Sequence, residues 1–291
     1  MTTFWNNTKT AMLLGLMFGL VLAVGAGVGG AMGNPTQGLI IAFLFGGLMN
    51  AVAFFFSDKI ALAAMHAQEA DPQRDADLYE MVERLARKAN LPMPKVYICP
   101  QEVPNAFATG RSPHKAAVAV THGAIRLLNY DELEGVMAHE LAHVKNRDTL
   151  ISCVAATIAG AISMLAQMTM FSSMFGGNRD QGVHPLVQLV VILIAPIAAA
   201  IIQMAVSRSR EFVADANGAE IAGTPHGLIK ALRKLEGINR RVPMEAEVPT
   251  QNHMFIVQPL SAGAMGGLGK LFSTHPPTAQ RIAALSKHRL A

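Results

Sequence analysis

Charge is scarce in this 291-residue chain: Lys, Arg, Asp and Glu make up 15% of it, against about 25% in ordinary globular domains. Residues 11–32 and 39–56 contain none of the four. So little charge excludes a globule wetted on all sides and leaves much of the chain to meet something other than water. The lack of ionisable groups inside the apolar runs also argues against a transporter, whose membrane helices carry them. Cysteine is nearly missing, with Cys99 and Cys153 the only two. One falls in a predicted strand and the other in a predicted span, so they form neither a disulfide framework nor a metal-ligand spacing, which fits a reducing compartment. There is no solenoid-type repeat and no long low-complexity tract.

What the chain has is clustered hydrophobicity. Four stretches, 11–32, 39–56, about 150–175 and 183–206, approach or exceed the roughly 18–20 apolar residues that cross a hydrocarbon core. The first two are joined by the short turn 33–38 and read as a transmembrane hairpin. A cleaved signal peptide would have a shorter apolar region and no second span so close behind it. The third is diluted by Ser152, Thr157, Ser163, Gln167, Thr169 and Ser172. A buried helix pair in a soluble core is the alternative there, but the length favours a membrane. Lys9 precedes the first run, eleven Lys/Arg lie in 57–149 and eleven more in 207–291, while only Arg179 falls in the hairpin turns. By the positive-inside rule both termini and both polar segments are cytoplasmic. The net charge of +4 is then topological and requires no nucleic-acid partner.

Within the first polar segment, 75–89 has the period of an amphipathic helix with Leu78, Met81, Val82, Leu85 and Ala86 on one face. Strands are expected over 95–99, 105–110 and 116–121. Asp131 is expected to cap the next helix, with Glu134 completing a capping box, and that helix to run on through Arg147 and Asp148 toward the third span. Residues 207–216 read as a helical continuation of the fourth. Antiparallel neighbouring spans would bring these two helices together at the membrane surface.

The first of them carries His139-Glu140-Leu141-Ala142-His143. Histidines four apart on a helix sit one turn above each other, so both imidazoles reach one metal ion, and the intervening glutamate can take a proton from water beside it. A catalytic zinc needs a third protein ligand. Glu211 is the best candidate, because the hairpin brings it close, and Asp215 one turn later can orient a ligating imidazole. The alternatives are a solvated partner of Arg208 or Arg210 for Glu211, and a surface charge for Asp215.

These residues, with the strand over 105–110 and Ser273-Thr274-His275-Pro276-Pro277, resemble the HtpX-type membrane zinc metalloproteases. Wider relatives of that family include a mitochondrial inner-membrane peptidase and the CaaX prenyl proteases. The resemblance covers essentially the whole chain. It implies a gluzincin site with one zinc ion per chain on His139, His143 and Glu211, Glu140 as general base and Asp215 steadying the first histidine. It also implies His275 as a donor to the oxyanion, and an extended segment before two prolines suits that posture. Arg281 would act structurally or electrostatically. Asn105, Ala106 and Phe107 would bind substrate, their strand pairing with the peptide as an edge strand; an ordinary sheet edge is the alternative. The remaining histidines read as surface or loop residues, and 248–270 as either a lid or a loose insertion.

The expected architecture is a mainly α integral membrane protein, with transmembrane helices and a cytoplasmic α+β zincin-like metalloprotease domain. Its parts are an N-terminal hairpin (1–57), the first zincin part (58–149), a second hydrophobic hairpin (150–206) and the second zincin part (207–291). The resemblance implies an endopeptidase of the bacterial inner membrane, acting from the cytoplasmic side on misfolded or excess membrane proteins or unfolded polypeptides. Its role would be quality control and stress response, overlapping other membrane quality-control proteases, with the lipid bilayer as a partner. A CaaX-type prenyl-peptide protease and a non-catalytic polytopic scaffold are the competing readings; four spans count against the first and an intact Glu140 against the second. Topology reporters fused at Gly177 and after Ala291 are expected to report opposite sides of the membrane. The same side for both would mean that the second hairpin does not cross.

Overall fold

The computed structural model describes residues 34–149, 208–241 and 276–288, with positions 8, 12, 15, 18, 19, 22 and 26 ahead of them. The runs 150–175 and 183–206, the segment 248–270, His275 and most of 11–32 lie outside the described residues. Helices and strands are numbered below in the order in which the described residues form them.

Helix α1 runs Pro35–Ala64. Asn34 caps it by accepting the Gln37 amide at 3.0 Å. Pro35 holds the first helical position, where its fixed φ suits a helix and its missing N–H is no loss. The turn expected over 33–38 is thus in part the first turn of a helix. Phe18, from the first apolar run, meets Phe43 of α1 edge-on with ring centroids 5.5 Å apart. Ile40, Ile41, Phe43, Leu44 and Leu48 stand exposed, too many directions for a helix with one face on a soluble core. Taken over the described side chains alone, no helix is long and apolar enough to cross a membrane. The backbone of α1, at 30 residues, is nevertheless about 45 Å long, against about 30 Å for a hydrocarbon core. The uncharged sequence 39–56 lies wholly within it.

The helix leads straight into a sheet through Met65–Ala67, where His66 adopts a positive φ of 46°. The strands are β1 (Gln68–Glu69), β2 (Lys95–Cys99), β3 (Ala106–Thr109) and β4 (Ala117–Thr121), in the order β1-β2-β4-β3. The pair β2–β4 is parallel, whereas β1–β2 and β3–β4 are antiparallel. Side chains alternate between two faces, as the period of a strand requires. Val96, Ala106, Val118 and Val120 point into a core shared with the helices. Cys99, Phe107 and Ala119 point the other way, against Met65 and Leu62 at the end of α1. Burial there pushes the Cys99 thiol up to about 12, which keeps it unreactive.

The helices are α2 (Ala76–Ala89), α3 (His122–Leu127), α4 (Tyr130–Asn146), α5 (Arg208–Ala222), α6 (His226–Arg241) and α7 (Thr278–Lys287). The face expected for α2 is the one it buries, extended by Ala89, and it stops at Asn90 in a left-handed conformation. Helix α4 starts differently from the expectation. Asn129, not Asp131, is the cap, and Glu132, not Glu134, closes the capping box. Asn caps as well as Asp does, and this frame places Asp131 and Glu132 in the first turn, where acidic groups meet the positive end of the helix dipole. Glu134 instead binds Arg84 of α2 at 2.9 Å. The far end also departs from expectation: the helix does not run through Arg147, which turns left-handed with φ 60°.

Glu132 ties α6 to this helix. Lys234 Nζ donates to it at 2.6 Å and to the Leu127 carbonyl at 3.1 Å. Burial alone raises the Glu132 pKa, but Lys234 and the Asn129 amide outweigh it and hold the carboxyl below its ordinary value. A lowered folded pKa contributes stability above the unfolded value, which is lost as pH falls through the folded one. Glu132→Gln keeps the capping oxygen and removes the charge. Thermal unfolding in detergent should show it about 0.5–1 kcal/mol less stable at pH 7, with the gap closing at pH 3; an equal gap at both would show that the charge contributes nothing.

Candidate metal centre

His139 and His143 lie one turn apart on α4 and turn their Nε2 atoms toward each other at 3.2 Å. Helix α5 brings Glu211 against both, with Oε1 3.5 Å from His143 Nε2 and Oε2 3.7 Å from His139 Nε2. Among the described residues these three form a cluster whose ligand atoms all lie within 4.8 Å of one another. A tetrahedral ion about 2.0–2.1 Å from each imidazole nitrogen would hold two such nitrogens about 3.3 Å apart, so the spacing suits a small tetrahedral cation.

Tautomer and charge point the same way. His139 Nδ1 lies 3.0 Å from Asp215 Oδ1, a short but poorly aligned contact, and His143 Nδ1 lies 3.3 Å from Asp148 Oδ2. A carboxylate at that distance draws the ring proton to Nδ1 and leaves the Nε2 lone pairs converging. One shared proton, or one cation, between these two nitrogens satisfies both. Around the histidines, four carboxylates (Glu140, Asp148, Glu211, Asp215) and two guanidiniums (Arg210, Arg281) are buried. Burial disfavours a charged His143, yet the Asp148 hydrogen bond and the Glu211 and Glu140 carboxylates hold its pKa up at about 9, a further sign of a pocket that attracts positive charge.

Arg281, on α7, is the most heavily engaged group, with 1% of its surface exposed. It grips Asp215 through Nε–Oδ2 at 2.9 Å and Nη2–Oδ1 at 2.6 Å. Its Nη1 lies 3.4 Å from Glu211 Oε2, and Nη2 3.4 Å from His139 Nε2. Burial disfavours its charge, but the Asp215 carboxylate more than offsets this and raises its pKa. The same guanidinium holds Asp215 below the ordinary carboxylate range despite burial. On the other side, Arg210 Nε lies 3.8 Å from Asp148 Oδ1. The sequence offered no role for Asp148 and no signal of one; the left-handed stop at Arg147 turns the following residue back over His143.

Glu140 faces the open edge of β3. Burial pushes its carboxyl above the ordinary value, against the pull of His139 and His143 and a hydrogen bond from the Ala108 amide. The Thr121 N–H donates to the Asn105 carbonyl at 2.9 Å, and the Asn105 N–H donates to Thr121 Oγ1 at 2.8 Å. With this register, Asn105, Phe107 and Thr109 direct their main chain at β4 and Ala106 and Ala108 direct theirs outward. Of the three residues expected to bind substrate, Ala106 therefore presents its backbone to the open edge, and Ala108, not singled out from sequence, joins it. The Phe107 side chain packs under the end of α1 instead. His139, His143, Glu211, Asp215, Glu140 and the β3 edge are thus neighbours, while His275 lies outside the described residues.

The model of peptidase family M48 matches residues 72–289. A protein named Protease HtpX homolog from Persephonella marina is 52% identical over 285 residues, covering 96% of this chain and 96% of its own. Another of that name from a Sulfurihydrogenibium species is 50% identical over 292 residues, covering 97% and 96%. The crystal structure of S. mikatae Ste24p aligns with a TM-score of 0.53 at 19% identity, over 98% of this chain and 66% of that one, a little under two thirds. At that identity the likeness concerns the fold.

Gly218 sets how closely α5 approaches the histidines. It lies two turns beyond Glu211, and a Cβ there would stand 2.9 Å from His139 Cα and 3.0 Å from its nitrogen. Gly218→Ala should therefore push Glu211 off the histidines although it favours the helix by about 1 kcal/mol. Gly237→Ala makes the same gain where a Cβ meets nothing within 4 Å. Metal retention against a chelator should fall on the order of tenfold in the first variant and not in the second; equal retention would separate helix spacing from metal binding.

Proposed function

Since the chain belongs to peptidase family M48 and is a membrane-associated metalloprotease, we propose that it is a zinc endopeptidase of the bacterial inner membrane. Its substrates are misfolded or excess membrane proteins, cut on the cytoplasmic side in membrane quality control. The observation that carries the reading is the convergence of His139, His143 and Glu211 beside a buried glutamate that faces an open strand edge. Two imidazoles and a carboxylate suit zinc and leave a fourth position for water. One ion per chain accounts for the three ligands, and helix α1 serves as the second membrane span.

When bound, zinc supplies a lowered water pKa, about 7, and polarises the scissile carbonyl. The chain's own residues do the rest. The outward main-chain groups of Ala106 and the Ala108 carbonyl align an extended peptide by strand addition. Glu140 takes the proton of the attacking water and returns it to the leaving amine, and its raised affinity for protons suits both transfers. Asp215 and Asp148 hold the imidazole rings by Nδ1, and Arg281 keeps Asp215 ionised and in place. His275 donates to the oxyanion, a role carried by the family resemblance alone.

Detergent-purified protein is expected to cleave casein only with zinc present and to lose this with a chelator. Glu140→Ala should retain stoichiometric zinc and lose activity by at least about 10²-fold. Activity near wild type in that variant would remove Glu140 from its role, and properly folded protein without stoichiometric zinc would overturn the reading.

A further inference from the structure

The open edge of β3 has a direction relative to the membrane, and two independent contacts fix it. Arg111, just beyond the strand, stacks its guanidinium 5.0 Å over the Phe55 ring of α1. Phe55 and Phe56 close the uncharged run 39–56, and Ser57, Asp58 and Lys59 follow. Lys59 Nζ sits 5.6 Å over the Phe56 ring, the aromatic-and-lysine pairing of a membrane interface. Separately, Thr149, the last residue before the apolar run at about 150–175, donates to the Gly110 carbonyl at 2.9 Å. The end of the second apolar run and the start of the third thus both touch the C-terminal end of β3. Its N-terminal half is tied instead to the far end of α1, where Phe107 packs with Met65 and Leu62. The strand points at the bilayer.

We propose that this enzyme measures its cut from the membrane, and that its preferred substrates are chains whose membrane anchor precedes the scissile bond. The inference rests on the protease reading above and on α1 as a span. Glu140 is hydrogen-bonded to the Ala108 amide, and Arg111 is three residues further on, just past the strand's end at Thr109 and at most about 10 Å along the chain. A peptide lying on this edge is therefore at the interface about three residues before it reaches the catalytic glutamate. Antiparallel pairs outnumber parallel ones two- to threefold and are the more stable. A peptide antiparallel to β3 runs away from the bilayer, so its N-terminal side is the anchored one. Linkage is short and stiff: α1 passes into β1 through three residues held by Gln101 Nε2 on the Met65 carbonyl at 3.0 Å. The catalytic edge cannot tilt freely toward distant segments.

The test uses the full-length protein in proteoliposomes with one cleavable polar segment. That segment is anchored by a single transmembrane helix at its N-terminal or its C-terminal end, through linkers of zero to twelve residues. Cut positions are read by mass spectrometry, and unanchored casein is digested alongside. The expected first cut lies about three residues beyond the membrane and keeps that distance as the linker sequence changes. The N-terminally anchored series should be cut about tenfold faster or more. Cuts that follow sequence and ignore distance, or a preference for the C-terminal anchor, overturn the proposal while casein cleavage leaves the protease reading standing. Failure to cut either anchored substrate or casein, with zinc bound, overturns both.

Discussion

Six ionisable side chains buried around two histidines can be held in a folded core only if almost all the charge they carry is met from within. This constraint shapes the domain more than any single hydrophobic contact does. Asp215 is ionised because Arg281 grips it with both of its oxygens, and Asp148 lies between His143 and Arg210. Residues from α4, α5 and α7 supply these charges, so the three helices must arrive together or none is stable there. The carboxylates that remain draw positive charge into the pocket, so the same groups serve as structure and as a candidate ligand set.

Much of this was legible in the sequence. The strands over 95–99 and 116–121 alternate or run apolar as buried strands do, and α2 shows its buried face through spacing alone. The two histidines and their glutamate declare themselves because a helix fixes the geometry of a four-residue interval. Glu211 was reachable from the expectation that 150–206 forms a hairpin, a stretch that lies outside the described residues. Less was legible where several residues could satisfy the same local rule. Asn129 and Asp131 are equally good caps, and only the three-dimensional frame, with Lys234 waiting for Glu132, chooses between them. Asp148 was hidden by a backbone reversal at Arg147 that L-residues seldom adopt.

The edge strand shows how pairing changes what a residue offers. Asn105 has the side chain that attracts attention, yet its backbone is committed to Thr121. The two alanines, with nothing chemical to display, hold the outward amides and carbonyls. Phe107 joins this edge to α1 through its side chain, so one short strand touches α1 by one face and Glu140 by its free side.

Arg281 also imposes an order in time. Translation delivers His139 and His143 first and Glu211 with Asp215 next, and the guanidinium that holds Asp215 in its ionised place emerges 66 residues later. Until then Asp215 lacks the guanidinium that grips it and the cluster around the histidines is incomplete. Competence as a protease therefore waits on nearly the whole of the chain's own synthesis.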